Sequence, residues 1–124
     1  MPAQPVRRRA RTRRPAGQDH VLDAFDALLE ALKSNDAAAR ELARRARILR
    51  TARAAGLAYA EIVAVDDRPL EIELLRGMQE RLNHAGRRLR AAEARALREE
   101  GLTLDRIAEV FGVSRQRVIA LLRE

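Results

Sequence analysis

The chain has no cysteine and no tryptophan, and aromatic residues make up only 2% of its 124 positions. Without cysteine it can form neither a disulfide nor a thiolate metal site, which is compatible with a reducing cytoplasm. Its core must be aliphatic, and the many alanines among its 47% hydrophobic residues favour close helix packing over a sheet. No apolar run approaches the ~20 residues that span a bilayer. The sequence therefore predicts an all-α, cytoplasmic protein with no membrane partner.

Residues that carry catalysis are also scarce. His20 and His84 are far apart in the sequence, and neither has a partner at metal-ligand spacing. The only two serines, Ser34 and Ser114, stand where helix caps are expected, and no glycine-rich phosphate loop occurs. We therefore expect no catalytic residue, no metal site and no cofactor, and we do not expect an enzyme.

Most of the net charge of +7 comes from the amino-terminal segment. Residues 1–18 contain three prolines and no acid or apolar periodicity, so we expect a disordered tail. Six of the positive charges are its arginines: Arg7, Arg8, Arg9, Arg11, Arg13 and Arg14. Such an arm can lie along the phosphates of DNA or enter the minor groove, or it can be an incidental, solubilising tail.

Two helices are expected between residues 19 and 56. Asp19 is suited to cap a helix that ends near Lys33, and Asp36 a second helix that ends near Gly56. The exposed face of the first is acidic, from Asp23, Asp26 and Glu30. The second is strongly basic, from Arg40, Arg44, Arg45, Arg47, Arg50 and Arg53. These arginines either pair with acids of the first helix or form a stripe that binds phosphates.

A short helix from Leu57 to Val65 and a long helix from Pro69 to Glu100 are expected next. The apolar residues of the long helix alternate at spacings of three and four: Leu75, Met78, Leu82, Ala85, Leu89, Ala92 and Ala96. This spacing is typical of a coiled-coil seam. A helix this long needs a partner, and we favour a homodimer; packing against the chain's own amino-terminal helices would give the same pattern.

A faint internal repeat links this region with the carboxyl end. Shifting the chain by 45 residues aligns Gly56 with Gly101 and Ile62 with Ile107. Residues 50–75 are therefore either a degenerate second copy of the carboxyl-terminal motif or a coincidence of the biased composition.

The last twenty residues hold the most specific pattern. Thr103 is suited to cap a short helix, and Gly112 to end it, because glycine adopts a positive φ angle without steric cost. Ser114 is a favoured cap for the helix that follows. The inner faces of the two helices are apolar at helical spacing: Ile107, Ala108, Phe111, Val118, Leu121 and Leu122. The pattern predicts two short helices that cross closely at Ala108.

The outward residues at the start of the second helix are Arg115, Gln116 and Arg117. Arginine and glutamine form paired hydrogen bonds to guanine and adenine edges in the major groove. In a helix-turn-helix, the amino-terminal part of the second helix reaches the bases. These side chains therefore indicate a helix that reads DNA.

The segments Leu104–Phe111 and Gly112–Val118 resemble the helix-turn-helix of bacterial sigma-70-type region 4, and are similar to the motif of resolvase-like and other bacterial regulators. The resemblance covers about the last quarter of the chain. It implies that the outward residues of the second helix face DNA, with Thr103 and Arg106 near the backbone. Ile119 stands where sigma-type motifs usually carry a polar residue, and suits a thymine methyl group or a protein contact. The expected DNA-binding set is Thr103, Arg106, Ser114, Arg115, Gln116 and Arg117.

Together these features predict three regions. Residues 1–18 are a disordered arginine-rich tail, residues 19–90 a helical scaffold and dimerisation region, and residues 91–124 a helix-turn-helix unit. The expected fold is an amino-terminal helical hairpin and a long central helix that leads into a carboxyl-terminal three-helix unit. The expected function is a homodimeric transcriptional regulator that binds specific double-stranded DNA, associated with the nucleoid. Two alternatives remain: a sigma-like adaptor that binds RNA polymerase or another regulator, and a nucleoid-associated protein with little sequence preference.

Overall fold

The computed structural model describes residues 19–65 and 70–124. These residues form five helices and no strand: α1 His20–Ala54, α2 Tyr59–Val63, α3 Leu70–Glu99, α4 Leu104–Phe111 and α5 Arg115–Leu122. The predicted all-α class is confirmed. None of these helices is long and apolar enough to cross a bilayer. The expected boundary between residues 90 and 91 falls inside α3, which continues through it without a break.

The 35-residue helix α1 corrects the expected amino-terminal hairpin. It begins as predicted, because Asp19 Oδ1 accepts hydrogen bonds from the backbone N–H groups of Val21 at 2.9 Å and Leu22 at 3.2 Å. It does not end near Lys33, and Asp36 does not begin a new helix. Serine, asparagine and aspartate each cost at most about 0.7 kcal/mol inside a helix, far less than proline. Packing along the whole of α1 outweighs that cost, so the two expected helices are one.

α1 and α3 pack antiparallel through a seam in which alanines alternate with larger side chains. The positions of α1 that lose solvent contact recur at alternating spacings of four and three: Ala24, Leu28, Ala31, Asn35, Ala38, Leu42, Arg45, Leu49 and Ala52. A matching line on α3 recurs every seven residues: Glu71, Met78, Ala85 and Ala92. These spacings are typical of knobs-into-holes packing. The alanines allow the helices to approach closely, although each of them buries little apolar area.

Two polar contacts set the register of this helical pair. The side-chain amide Nδ2 of Asn35 donates to the backbone carbonyl of Met78 at 3.1 Å, and Nε of Arg81 donates to Oδ1 of Asn35 at 2.8 Å. Nearer the far end, Nε of Arg45 lies 3.4 Å from Oε1 of Glu71, and both side chains are largely buried. A polar residue within an otherwise apolar seam fixes one register, since other registers leave it without partners.

The apolar side chains of α3 point in two directions. Met78, Ala85 and Ala92 face α1, so part of the seam that was expected to bind a partner is used within the chain. Leu75 and Leu82 remain about half exposed. Packing within the chain therefore accounts for at least three of the seven seam positions. Leu89 and Ala96 are half-buried, and two leucines stay on the surface.

The internal repeat extends to the ends of the helices. A shift of 45 residues superimposes two pairs of helix boundaries: the ends Ala54 and Glu99, and the starts Tyr59 and Leu104. Gly56 and Gly101, which follow the first pair, have φ angles of +95° and +103°. Both halves thus share one sequence of helix end, tight turn and short helix.

The hydrogen bonds at the two turns are also the same. A guanidinium Nη1 of Arg53 donates to the backbone carbonyl of Leu57 at 3.1 Å, and that of Arg98 donates to the carbonyl of Leu102 at 3.0 Å. An arginine thus closes each glycine turn by capping a backbone carbonyl. The two turns therefore share their backbone geometry, whereas the helix starts differ: Ala58 makes no side-chain cap at α2, and Thr103 caps α4.

The hydrogen bonds of Asn35 predict that alanine substitution has different effects on stability at the two asparagines of the chain. Asn35→Ala should lower the free energy of unfolding by about 1 kcal/mol, because lost hydrogen bonds exceed the gain in helix propensity. Asn83→Ala is the matched control, since Asn83 is exposed in the middle of α3 and should be neutral or slightly stabilising. Urea denaturation followed by circular dichroism measures both. Equal effects would show that Asn35 does not hold the pair.

Candidate nucleic-acid interface

α4, α5 and the carboxyl end of α3 enclose a small core. Its buried members are Ala94, Ile107, Ala108, Val118 and Leu121. Partly buried side chains close its edges: Leu97, Leu102, Leu104, Phe111 and Leu122. Among the described residues, the largest fully buried side chains all belong to this core. The predicted inner faces of the two short helices are confirmed, and the core holds both helices against α3.

Gly112 ends α4 as predicted, with φ +67° and ψ +36° in the left-handed region. The backbone N–H of Val113 donates to the carbonyl of Ala108 at 3.0 Å, which closes the last turn of the helix. A Cβ atom placed on Gly112 would meet nothing within 4 Å, so the backbone angle and not a lack of space requires glycine. A side chain there would cost about 1 to 2 kcal/mol.

Thr103 and Ser114 are the caps of the two short helices. Oγ1 of Thr103 accepts from the backbone N–H of Arg106 at 3.1 Å, and Oγ of Ser114 accepts from that of Arg117 at 3.1 Å. Both residues are exposed, so each short helix begins at the surface. The amino ends of α4 and α5 therefore carry outward amides and the partial positive charge of a helix start.

The three outward residues at the start of α5 are all exposed: Arg115, Gln116 and Arg117. Nε of Arg115 lies 3.9 Å from Oδ1 of Asp105 at the start of α4, and both side chains are mostly exposed. At that distance and exposure the attraction is weak. Arg115 therefore remains available to a ligand. Ile119, one turn further along, is half-buried.

Arg106 already has a carboxylate neighbour. Its Nη1 lies 2.7 Å from Oε1 of Glu109, in a pair that is exposed on both sides. Such a pair contributes about 0 to 1 kcal/mol and can be exchanged for a phosphate. Asp105 and Glu109 were not among the residues expected at the interface. The signals for them were present: an acid in the first turn of a helix, and an acid three residues after an arginine.

The arginines of α1 are partly neutralised. Arg40 lies 2.9 Å from Asp36, Arg44 lies 2.6 Å from Glu41, and Arg45 contacts Glu71 on α3. Hydrogen bonding to Glu41, together with its charge, raises the pKa of Arg44. These arginines therefore do pair with acids, as one of the two alternatives expected. Their partners are Asp36, Glu41 and Glu71, rather than the acids near the start of α1 that were expected.

The expected backbone contacts of the tail lie outside the described residues: Arg7, Arg8, Arg9, Arg11, Arg13 and Arg14. Within the part of the chain that is described, no three histidine, aspartate or glutamate side chains are arranged to hold a metal ion. Comparison of the chain with models of protein families, with curated proteins and with solved structures gave no match.

The geometry predicts that alanine substitution changes the free energy of unfolding in opposite directions at the two serines. Ser114→Ala removes the cap of α5 and should lower the free energy of unfolding by about 1 kcal/mol. Ser34 lies exposed inside α1, where alanine is the better helix former, so Ser34→Ala should stabilise by up to about 0.5 kcal/mol. Thermal and urea denaturation of both variants test this. A neutral Ser114→Ala would mean that the cap does not stabilise α5.

Proposed function

We propose that this chain is a sequence-specific double-stranded DNA-binding protein that regulates bacterial transcription. The carboxyl end of α3 with α4 and α5 forms the helix-turn-helix unit, and α5 is the recognition helix. The observation that supports this most is the exposure of Arg115, Gln116 and Arg117 at the capped start of α5. The resemblance to sigma-70-type region 4 favours the same assignment.

Each residue of the interface has a role that follows from its chemistry. Arg115 and Arg117 bond guanine O6 and N7 in the major groove, and Gln116 bonds adenine N6 and N7. Thr103 and Ser114 present helix amino ends to phosphates. Contacts of this second kind position the protein on DNA without reading its sequence, as do those of the arginine tail.

The proposal includes a homodimer that acts on the nucleoid in the cytoplasm, without a cofactor and without enzymatic activity. Helix-turn-helix proteins commonly bind as dimers to two half-sites separated by a turn of the DNA helix. A single α5 of eight residues presents three base-reading side chains, which specify only a short site. Two copies double the length of the site.

The first test is selection from a pool of random duplex DNA by the full-length protein. We expect one enriched sequence motif, bound about a thousandfold or more tightly than random duplex at fixed salt concentration. Binding of every duplex with similar affinity would favour the nucleoid-associated alternative. Failure to retain DNA at all would favour the adaptor, whose helices contact RNA polymerase or another regulator. Either result would contradict the proposed function.

Substitution at the start of α5 should affect affinity and selectivity together. Arg115→Ala is expected to cost about 1 to 3 kcal/mol on the selected site and to relax the preference at one base pair. Arg123→Ala is the matched control, because it removes the same charge from an exposed position at the other end of α5. It should weaken binding slightly and equally on all sequences. Fluorescence anisotropy with specific and random duplexes measures both, and equal losses for Arg115→Ala on the two duplexes would remove its base-reading role.

A further inference from the structure

The amino-terminal half of α1 carries a stripe of exposed apolar side chains. Leu22 is 61% exposed, Phe25 39%, Leu29 62% and Leu32 45%. They follow one another at spacings of three, four and three residues, which is the spacing of a second coiled-coil seam. At about 100° per residue, the stripe lies a quarter to a third of a turn away from the line of Ala24 that faces α3. The packing of α1 on α3 therefore leaves a complete apolar seam uncovered.

α3 carries a corresponding stripe. Leu75 and Leu82 are 45% and 46% exposed, at a spacing of seven residues, and Ile72 is also exposed. Leu75 and Leu82 are about a sixth of a turn from the line of Ala85 that faces α1, and Ile72 is a little more than a quarter of a turn from it. Because the two helices are antiparallel, rotation in the same sense from their facing lines brings both stripes to one side of the pair. We call the combined surface the leucine face: Leu22, Phe25, Leu29, Leu32, Leu75 and Leu82.

We infer that the leucine face binds the same face of a second copy of this chain, so that two α1–α3 pairs form a four-helix bundle. The inference rests on the proposed function, since it names the contact surface of the homodimer proposed there. A bundle of this kind buries one side of each helix pair in a shared core, as four-helix bundles do. It would cover the large apolar side chains that remain exposed when α1 and α3 pack against each other.

The size and composition of the surface fit a second copy. From Leu22 to the level of Ile72 the face is about 35 Å long and two helices wide, or roughly 700 Å² on each copy, near the ~800 Å² per partner of stable interfaces. Between Leu22 and Ala46, the charged side chains on this side of α1 include Arg40, five turns after Leu22, and, within the line of the stripe itself, Asp36. Its carboxylate is paired with Arg40 of the same helix at 2.9 Å. Pairing of two copies therefore places no uncompensated aspartate from this stretch in the interface.

The two segments of this sequence that lie outside the described residues contain few large apolar side chains. Residues 1–18 contain six arginines, and only Met1 and Val6 are large and apolar. Residues 66–69 are Asp-Asp-Arg-Pro. Burial of arginine or aspartate against leucine without a partner is costly. Since neither segment has the side chains to occupy the face, a second copy with an identical apolar face is the occupant of matching chemistry.

The test is the mass of the full chain in solution and its response to one charge. By sedimentation equilibrium the unaltered protein should have about twice the chain mass of 14.0 kDa. Leu29→Arg should weaken dimerisation by about 100-fold or more, because it buries an unpaired charge in the interface. Ile48→Arg is the matched control: Ile48 is 54% exposed on the other side of the helix pair, and this variant should stay dimeric. Circular dichroism should show unchanged helix content in both, because each side chain is exposed in the single chain.

An unaltered chain that remains monomeric at high micromolar concentration would overturn the inference, and so would equal dimerisation of the two variants. DNA selection with the same preparations keeps this result separate from the proposed function. A dimer that selects no DNA sequence would support the interface inferred here and contradict the proposed regulatory function. A monomer that selects one would do the reverse.

Discussion

The structure depends on a single helix, α3, that packs against two neighbours at once. Ala85 and Ala92 lie against α1, whereas Ala94 lies in the core formed with α4 and α5. Alanine at these positions lets helices approach α3 closely from two directions, which larger side chains would prevent. α3 therefore connects the helical pair rigidly to the carboxyl-terminal unit.

The same alanines limit how much the helical pair can stabilise itself. Apolar stabilisation is roughly proportional to buried area, and an alanine contributes far less of it than a leucine. The three largest fully buried side chains, Ile107, Val118 and Leu121, are all in the carboxyl-terminal core. Of the leucines of α1, Leu28, Leu42 and Leu49 lie in the seam, whereas Leu22, Leu29 and Leu32 remain exposed. The pair thus has specific contacts, at Asn35 above all, but it has a small core of its own.

The parts of the fold that local sequence determines were predictable, and those that depend on distant packing were not. Gly112 and Ser114 act on their own neighbours, so their spacing was enough to predict α4, α5 and the turn between them. Asp36 acts as a cap only if the helix before it ends, and packing against α3 keeps that helix continuous. The three–four spacing of α3 indicated an apolar seam but could not identify which helix covers it. The surface of the candidate site follows from the same local geometry, and so do the two acids beside its arginines, although they were not predicted.

The segments related by the 45-residue shift differ in the side chains that they expose. The shift aligns Leu70–Ile72, in the first turn of α3, with Arg115–Arg117 at the start of α5. In the first copy the middle residue, Glu71, contacts Arg45 of α1 and is largely buried. In the second copy all three side chains are exposed. An acid that holds two helices together would repel phosphate, whereas exposed guanidinium and amide groups attract it and read bases. Glu71 thus has a packing role between two helices. The aligned segment Arg115–Arg117 presents the side chains on which the proposed recognition of DNA depends.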